Sequence, residues 1–234
     1  MKVSVIIPAA GLGTRMGRES RKQFLELDGS PILVHTLRKF QACPSVSEIV
    51  LAVRPEDMDS AREMVAEVKQ TKPIRFVQGG ETRQESVEHG LASLGADVDL
   101  VAVHDAVRPF IRPETIEKVI AAAEEHGAAI VGIVPVDTVK QMHKMDKIKS
   151  TLPREHLVLA QTPQVFKLGL LRDAFAAAKA DNFIGTDEAS LVERLERVDV
   201  IVVQGSDRNI KITKPTDLEL AELFLAEERA EGEA

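Results

Sequence analysis

The sequence predicts an α/β fold, a mostly parallel sheet flanked by helices, and two observations lead there. Short Val/Ile/Leu-rich runs recur between helix-length stretches, at Val3–Ile7, Glu48–Val53, Ile74–Val77, Leu100–Val103, Ala129–Val134 and Val198–Val203. Runs apolar at successive positions are buried on both faces, as parallel strands covered by helices must be. Helix ends are also legible: Pro31 sits in the first turn of one helix, Pro55 with Glu56 and Asp57 opens another, and Pro113 with Glu114 opens a third that Gly127 closes. Proline's fixed φ suits a helix start and glycine's freedom suits its end. With 234 residues, 44% of them hydrophobic, one domain spanning 1–234 can bury a full core.

The first strand breaks into PAAGLGTRMG and then RKQF. Gly11, Gly13 and Gly17 leave room for a backbone loop to pass close to a bulky anion, and exposed amides there form an anion cradle. Arg15 presents a fork for phosphate oxygens, and Lys22 a compact point charge. The P-loop spacing is absent, because Met16 and Arg18 stand where its second glycine would be. The dinucleotide pattern G-x-G-x-x-G fails because Gly17 is one step late. What remains is a nucleotide loop of a third kind, addressed to a polyphosphate.

After the third run, QGGETRQES places Gly79 and Gly80 in a strand-to-helix turn, with Ser86 early in the helix. The turn reads either as base or ribose recognition or as a polar cap. After the fourth, VAVHDAVRPF puts Asp105 at the carboxyl end of a buried strand, the edge where open parallel sheets bind ligands. Asp105 is either a magnesium ligand, since Mg²⁺ on phosphates takes one or two carboxylates, or an ion-pair partner of Arg108. His104 reads as a packed, hydrogen-bonded structural residue. Thr186 reads first as a helix N-cap, followed by Asp187 and Glu188 in the first turn. Lys211 lies in the strand-like NIKIT just before KPTDLELAE opens the last helix.

One stretch breaks the alternation. From Val136 to Phe166 the chain is rich in Val, Thr, Lys and Met with no helical stripe, and it reads as a β-arm at about 137–160, inserted in the domain, or else as a long surface loop, which is uncommon at this length. An arm with few neighbours needs a second subunit to bury its apolar face, so the chain is expected to be a homodimer. Arg154 and Thr162 lie in this stretch.

Composition excludes other classes. A formal charge of −7 with neither Trp nor Tyr argues against a nucleic-acid surface, which wants a basic face and stacking rings. The opening MKVSVII is too short an apolar run for a signal peptide, and no later stretch approaches a membrane span. One cysteine, Cys43, permits no internal disulfide and fits a reducing compartment. A cytoplasmic enzyme is expected.

PAAGLGTRMG, RKQF, GGETRQES, HDAVRP, PVDTVK, AQTPQVF, TDEAS and NIKIT, in this order and at these separations, resemble the 2-C-methyl-D-erythritol 4-phosphate cytidylyltransferase family from Val3 to about Leu225. The resemblance implies a Rossmann-like nucleotidyltransferase sheet, a dimer built through the β-arm, and Mg²⁺ or another divalent cation as cofactor. The implied reaction joins CTP to 2-C-methyl-D-erythritol 4-phosphate with release of pyrophosphate, a step of the non-mevalonate route to isoprenoid precursors. It further implies that Arg15, Lys22, Arg154 and Lys211 are catalytic, and that Pro8, Ala9, Ala10, Gly11 and Gly13 cradle the nucleotide phosphates. Gly80, Arg83 and Ser86 would bind the cytosine and its neighbourhood. Asp105 would orient the sugar phosphate and serve as a metal ligand, Ala106 and Arg108 would bind substrate, and Arg154 and Lys211 would position the sugar phosphate in a pocket lined by Thr138, Thr162 and Thr186. Arg154, lying on the arm, would serve the partner's site.

Val107 stands where the family often has alanine. Arg208 stands where an aspartate is common beside Lys211, so Lys211 must be oriented otherwise, for which Asp207 is a candidate. Alternatives to the main reading are a ribitol 5-phosphate cytidylyltransferase and a non-catalytic nucleotide sensor, the latter disfavoured by Arg15 and Lys22 together.

Overall fold

A computed structural model describes residues 1–11, 22–144 and 146–232. β1 (Val3–Pro8) is followed by the hairpin β2 (Glu26–Leu27) and β3 (Ser30–Pro31), then α1 (Ile32–Ala42) and β4 (Val46–Val53). Next come α2 (Met58–Ala66), β5 (Ile74–Gln78), α3 (Arg83–Ala92), β6 (Leu100–Val103), α4 (Pro113–His126) and β7 (Ala128–Ile133). A second hairpin, β8 (Lys140–His143) and β9 (Lys147–Thr151), precedes β10 (Leu159–Lys167), α5 (Leu168–Ala180), α6 (Glu188–Glu193), β11 (Ile201–Gln204) and α7 (Pro215–Gly232).

Seven strands form one sheet in the order β11-β7-β10-β6-β1-β4-β5. All run the same way except β10, which is antiparallel to both β6 and β7. Alternate residues of β1 feed opposite faces: Val3, Val5 and Ile7 pack with α1, α2 and α4, whereas Ile6 packs with α3, α5 and α6. Burial on both sides is why the inner strands β1, β6 and β7 read as largely apolar runs. A third cluster, around Leu27, Ile32, Phe110, Ile212 and Ala221, seats α7 beside the β2–β3 hairpin.

The proline and glycine signals hold with small shifts. Pro113 is the first residue of α4, and Gly127 ends it at φ +93°, a left-handed conformation that favours glycine. Pro31 is the N-cap of α1 rather than a first-turn residue, and Pro55 begins a 3-10 turn that leads into α2. Cys43 caps the C-terminus of α1, fully buried, with its thiol donating to Glu117 at 2.8 Å. Burial first, then Glu117, push the thiol up to about 12.

The Val136–Phe166 stretch divides in two. Among the described residues β8 and β9 pair only with each other, and nearly all their side chains are exposed. Leu159–Lys167 instead rejoins the central sheet as β10, between β6 and β7. This strand is missing from the sequence-based set because Gln161, Thr162, Pro163 and Gln164 interrupt its apolar pattern. The β7–β10 register shifts between Ala160 and Gln164, and such an irregularity is where a strand tolerates a proline, which has no N–H to donate.

Candidate active site

The carboxyl ends of β1, β6 and β5 bring Pro8–Gly11, Asp105–Val107 and Gly80–Ser86 around one cavity, to which Lys211 and Gln23 also contribute. Backbone bonds shape it: Ala9 N donates to Ala52 O and Gly79 N to Val53 O, each at 2.7 Å. A Cβ on Gly79 would collide with the Cβ of Ala10, so glycine there is what lets the two loops touch. Gly11 differs, since a Cβ there would meet nothing within 4 Å among the described residues.

α3 starts with a capping box in which Thr82 accepts from Glu85 N while the Glu85 side chain accepts from Thr82 N, the T-x-x-E arrangement of a defined helix start. Ser86, buried in the first turn, accepts from Gly80 N at 3.1 Å and donates to Thr82 O at 2.9 Å. Its hydroxyl holds the Gly79–Gly80 turn in place.

Asp105 is the electrostatic centre. Its Oδ1 accepts from Arg83 Nε at 3.2 Å, and its Oδ2 from Arg108 Nε at 3.2 Å and Lys211 Nζ at 2.9 Å. Burial alone would raise its pKa, but Arg83, Lys211 and Arg108 outweigh burial and hold the carboxyl well below the usual carboxylate range. Arg83, Asp105 and Lys211 also border a second cavity, completed by Arg108, Gln161, Thr162, Gln164 and Thr186. The two cavities thus share a wall made of one carboxylate and its cations.

A hydrogen-bonded chain fixes that wall from behind. Asp105 N donates to Thr162 Oγ1 at 3.1 Å, Thr162 Oγ1 lies 3.1 Å from His104 Nδ1, and His104 Nε2 lies 3.1 Å from Arg108 O. Because a carbonyl only accepts, Nε2 carries the proton and Nδ1 accepts from the threonine hydroxyl. Burial lowers the His104 pKa to about 4, so the ring is neutral at pH 7, edge-on to Phe40 at 4.8 Å. The structural reading of His104 stands.

The expected site residues thus fall into four groups. Pro8, Ala9, Ala10, Gly11, Gly80, Arg83, Ser86, Asp105, Ala106 and Lys211 border the first cavity, and Arg108, Thr162 and Thr186 border the second. Thr138 and Arg154 border neither; both are exposed, and Arg154 Nη1 donates to Val136 O within the same segment. Gly13, Arg15 and the side chain of Lys22 lie outside the described residues.

Two expectations are corrected. The N-cap of α6 is Asp187, not Thr186: Asp187 Oδ1 accepts from Ser190 N at 3.0 Å, which leaves Thr186 facing the second cavity. Lys211 is held by Asp105 rather than Asp207, while Arg208 turns away to pair with Glu227 at 2.7 Å over the Phe224 ring. The reversed charge at Arg208 is therefore spent on α7.

Sequence reasoning gave no site role to three polar residues. Gln23 Nε2 donates to Ala9 O at 2.6 Å and anchors the first loop. Asn209, buried, donates through its side-chain amide to Gln161 Oε1 and Thr162 O, and its backbone carbonyl accepts from Arg108 Nη1. Glu188 grips Arg83 through both oxygens, at 2.6 and 2.9 Å. Neutral amides carry no charge signal, and a glutamate in a first helical turn reads as an ordinary dipole partner.

The sequence profile described as IspD, 2-C-methyl-D-erythritol 4-phosphate cytidylyltransferase, matches residues 3–227. The chain belongs to this family. A Solibacter usitatus protein named 2-C-methyl-D-erythritol 4-phosphate cytidylyltransferase is 60% identical over 240 residues, covering 98% of each chain. One of the same name from Acidobacterium capsulatum is 53% identical over 234 residues, 96% of this chain and 98% of that one. Among solved structures, 4-diphosphocytidyl-2C-methyl-D-erythritol synthase from Anaerococcus prevotii matches with a TM-score of 0.86 at 33% identity, over 96% of both chains. The Thermus thermophilus cytidylyltransferase matches with a TM-score of 0.78 at 35% identity, over 96% of this chain and 98% of that one. The mostly parallel sheet is the fold the family implies.

Proposed function

We propose that the two adjoining cavities hold the two phosphate-bearing reactants on either side of the Asp105 cluster. The reaction is that of the family: a cytidylyl group passes from CTP to 2-C-methyl-D-erythritol 4-phosphate, and pyrophosphate leaves. A phosphate monoester loses its second proton near a pKa of about 6, so the attacking oxygen is already anionic at pH 7 and needs no side-chain base. The oxygen forms its new bond at the α-phosphorus as the bond from that phosphorus to the departing pyrophosphate oxygen breaks. What the protein must provide is alignment and positive charge.

The observation that carries this reading is the shared wall, in which three cations converge on one buried carboxylate between two cavities. The turn held by Ser86 receives the cytosine end, and the Pro8–Gly11 loop, with Gly13, Arg15 and Lys22, receives the triphosphate. Lys211 and Arg108, with Thr162 and Thr186, receive the sugar phosphate, and Asp105 keeps the cations apart and aligned. Among the described residues, Oδ1 carries one contact against two on Oδ2, and a further lone pair there fits a magnesium ion held mainly by phosphate oxygens and water. Such an ion would neutralise phosphate charge.

The exposed β8–β9 hairpin, with Met142 and Ile148 more than half exposed, supports a homodimer in which Arg154 and Thr138 reach the partner's second cavity. A free, buried cysteine suits a reducing compartment, the cytoplasm. The deciding experiment is pyrophosphate release from CTP and Mg²⁺, with methylerythritol phosphate and ribitol phosphate compared side by side. A strong preference for the branched substrate is expected; equal or reversed rates would sink the assignment.

A further inference from the structure

Glu188 is the least exposed carboxylate of the cluster, its side chain 2% exposed against 8% for Asp105. It sits at the first position of α6, and both of its oxygens are committed to Arg83. A charge so deeply buried is costly unless it is paired and hydrogen-bonded, and a fork-to-fork arginine contact meets that condition while fixing the plane of the guanidinium. With both Nη atoms on Glu188, the Nε–H of Arg83 points at Asp105 Oδ1. Asp105 in turn holds Lys211 and Arg108 through its other oxygen.

α6 itself does not drift. Asp187 and Ser190 close its start, and Gln164 of β10 bridges to it, donating to Asp187 Oδ2 at 2.7 Å and accepting from Ala189 N at 3.0 Å. Beside the pair, Gln84 ties the preceding loop to α3, donating to Phe183 O and accepting from Gly185 N. That loop leads into Thr186, at the edge of the second cavity.

We infer that Glu188 is a positioning residue for the sugar-phosphate side of the reaction: it orients Arg83, Arg83 orients Asp105, and Asp105 presents Lys211 and Arg108 to the incoming phosphate. Without Glu188 the guanidinium is free to turn its fork onto Asp105 and compete with Lys211 for the same carboxylate. The inference rests on the cytidylyltransferase reading, and the wild-type assay separates the two. If the wild-type chain makes no product, that reading fails; if it is active, Glu188 is tested on its own.

The test measures kcat and both KM values for wild type, Glu188→Gln, Arg83→Ala and the double variant, with thermal unfolding to check the fold. Glu188→Gln is expected to raise the KM for methylerythritol phosphate at least tenfold and the KM for CTP by a clearly smaller factor, since Arg83 also borders the first cavity, and Glu188→Asp to fall between Gln and wild type. Because Glu188 works through Arg83, the double variant should be no worse than Arg83→Ala, the non-additivity of coupled neighbours. Equal effects on both KM values, additive losses in the double variant, or unchanged kinetics in Glu188→Gln would each overturn the assignment. Should the variants not accumulate as folded protein, a crystal structure of the wild type with CTP and the alcohol phosphate decides: Arg83 still on Glu188 supports the inference, and Arg83 swung away from it refutes it.

Discussion

Replacing Asp105 with asparagine keeps the shape of the wall but removes the charge around which three cations gather. Losing one partner of a buried ion pair commonly costs about 3–5 kcal/mol. Here the lower end applies, because each cation keeps another way to be satisfied: Arg83 retains Glu188, Arg108 retains the Asn209 carbonyl, and Lys211 is 36% exposed. For a chain of this size 1 kcal/mol corresponds to roughly 2–4 °C in Tm, so about 3 kcal/mol predicts a fall of about 6–12 °C. Thermal unfolding at low salt measures it, and added salt should recover part of the loss by screening the cations on the open side of the cavity. Turnover should collapse in the same variant, since Lys211 and Arg108 lose the anchor that aims them. A Tm within about 2 °C of wild type, with turnover retained, would show that the three contacts are incidental and refute the shared-wall account.

Other outcomes can be checked with the same protein. Lys22→Ala should cut turnover by more than about 100-fold, roughly 2.7 kcal/mol of barrier, with the fold intact, and a fall under tenfold would remove Lys22 from the catalytic set. Arg154→Ala should raise the KM for the alcohol phosphate far more than that for CTP, and equal effects would contradict its proposed reach into the partner's second cavity. His104 is neutral when folded, its pKa lowered to about 4 from an ordinary value near 6.5. Between those values the unfolded chain binds the extra proton, so stability is full above about pH 6.5 and is lost as pH falls toward 4, by up to about 3 kcal/mol. Denaturant unfolding across that range should show the slope in wild type and a shallower one in His104→Gln; identical slopes would mean that other groups carry it.

Most of the sheet was readable because its parallel strands are dominated by apolar residues, with few polar ones such as Ser4, Glu48 and Arg75 to break the runs. β10 was not, because its central residues do two jobs: Gln161, Thr162 and Gln164 lie in a buried strand and also bond Asn209, Asp105 and Asp187. Site residues that carry charge at a strand end, such as Asp105, or lie in a glycine turn, such as Gly80, announced themselves. Glu188 and Asn209 did not, because their roles depend on partners far away in the chain. The N-cap of α6 was misplaced by one residue because Thr and Asp are both good caps, and only the backbone bend decides between them.

The place where the β8–β9 hairpin leaves the sheet has a practical consequence. Its two ends depart from β7 and β10, adjacent strands whose residues Ile133 and Leu159 face each other in the ladder. The segment between those two positions, largely exposed apart from Pro135, leaves and returns at facing positions, so a tight turn could join the strands directly and leave the order of the sheet unchanged. Such a trimmed chain would keep Asp105, Lys211 and the Ser86 turn while lacking Arg154 and Thr138, and supplying an intact but inactivated copy in trans would reveal whether the missing groups can be lent by a neighbour.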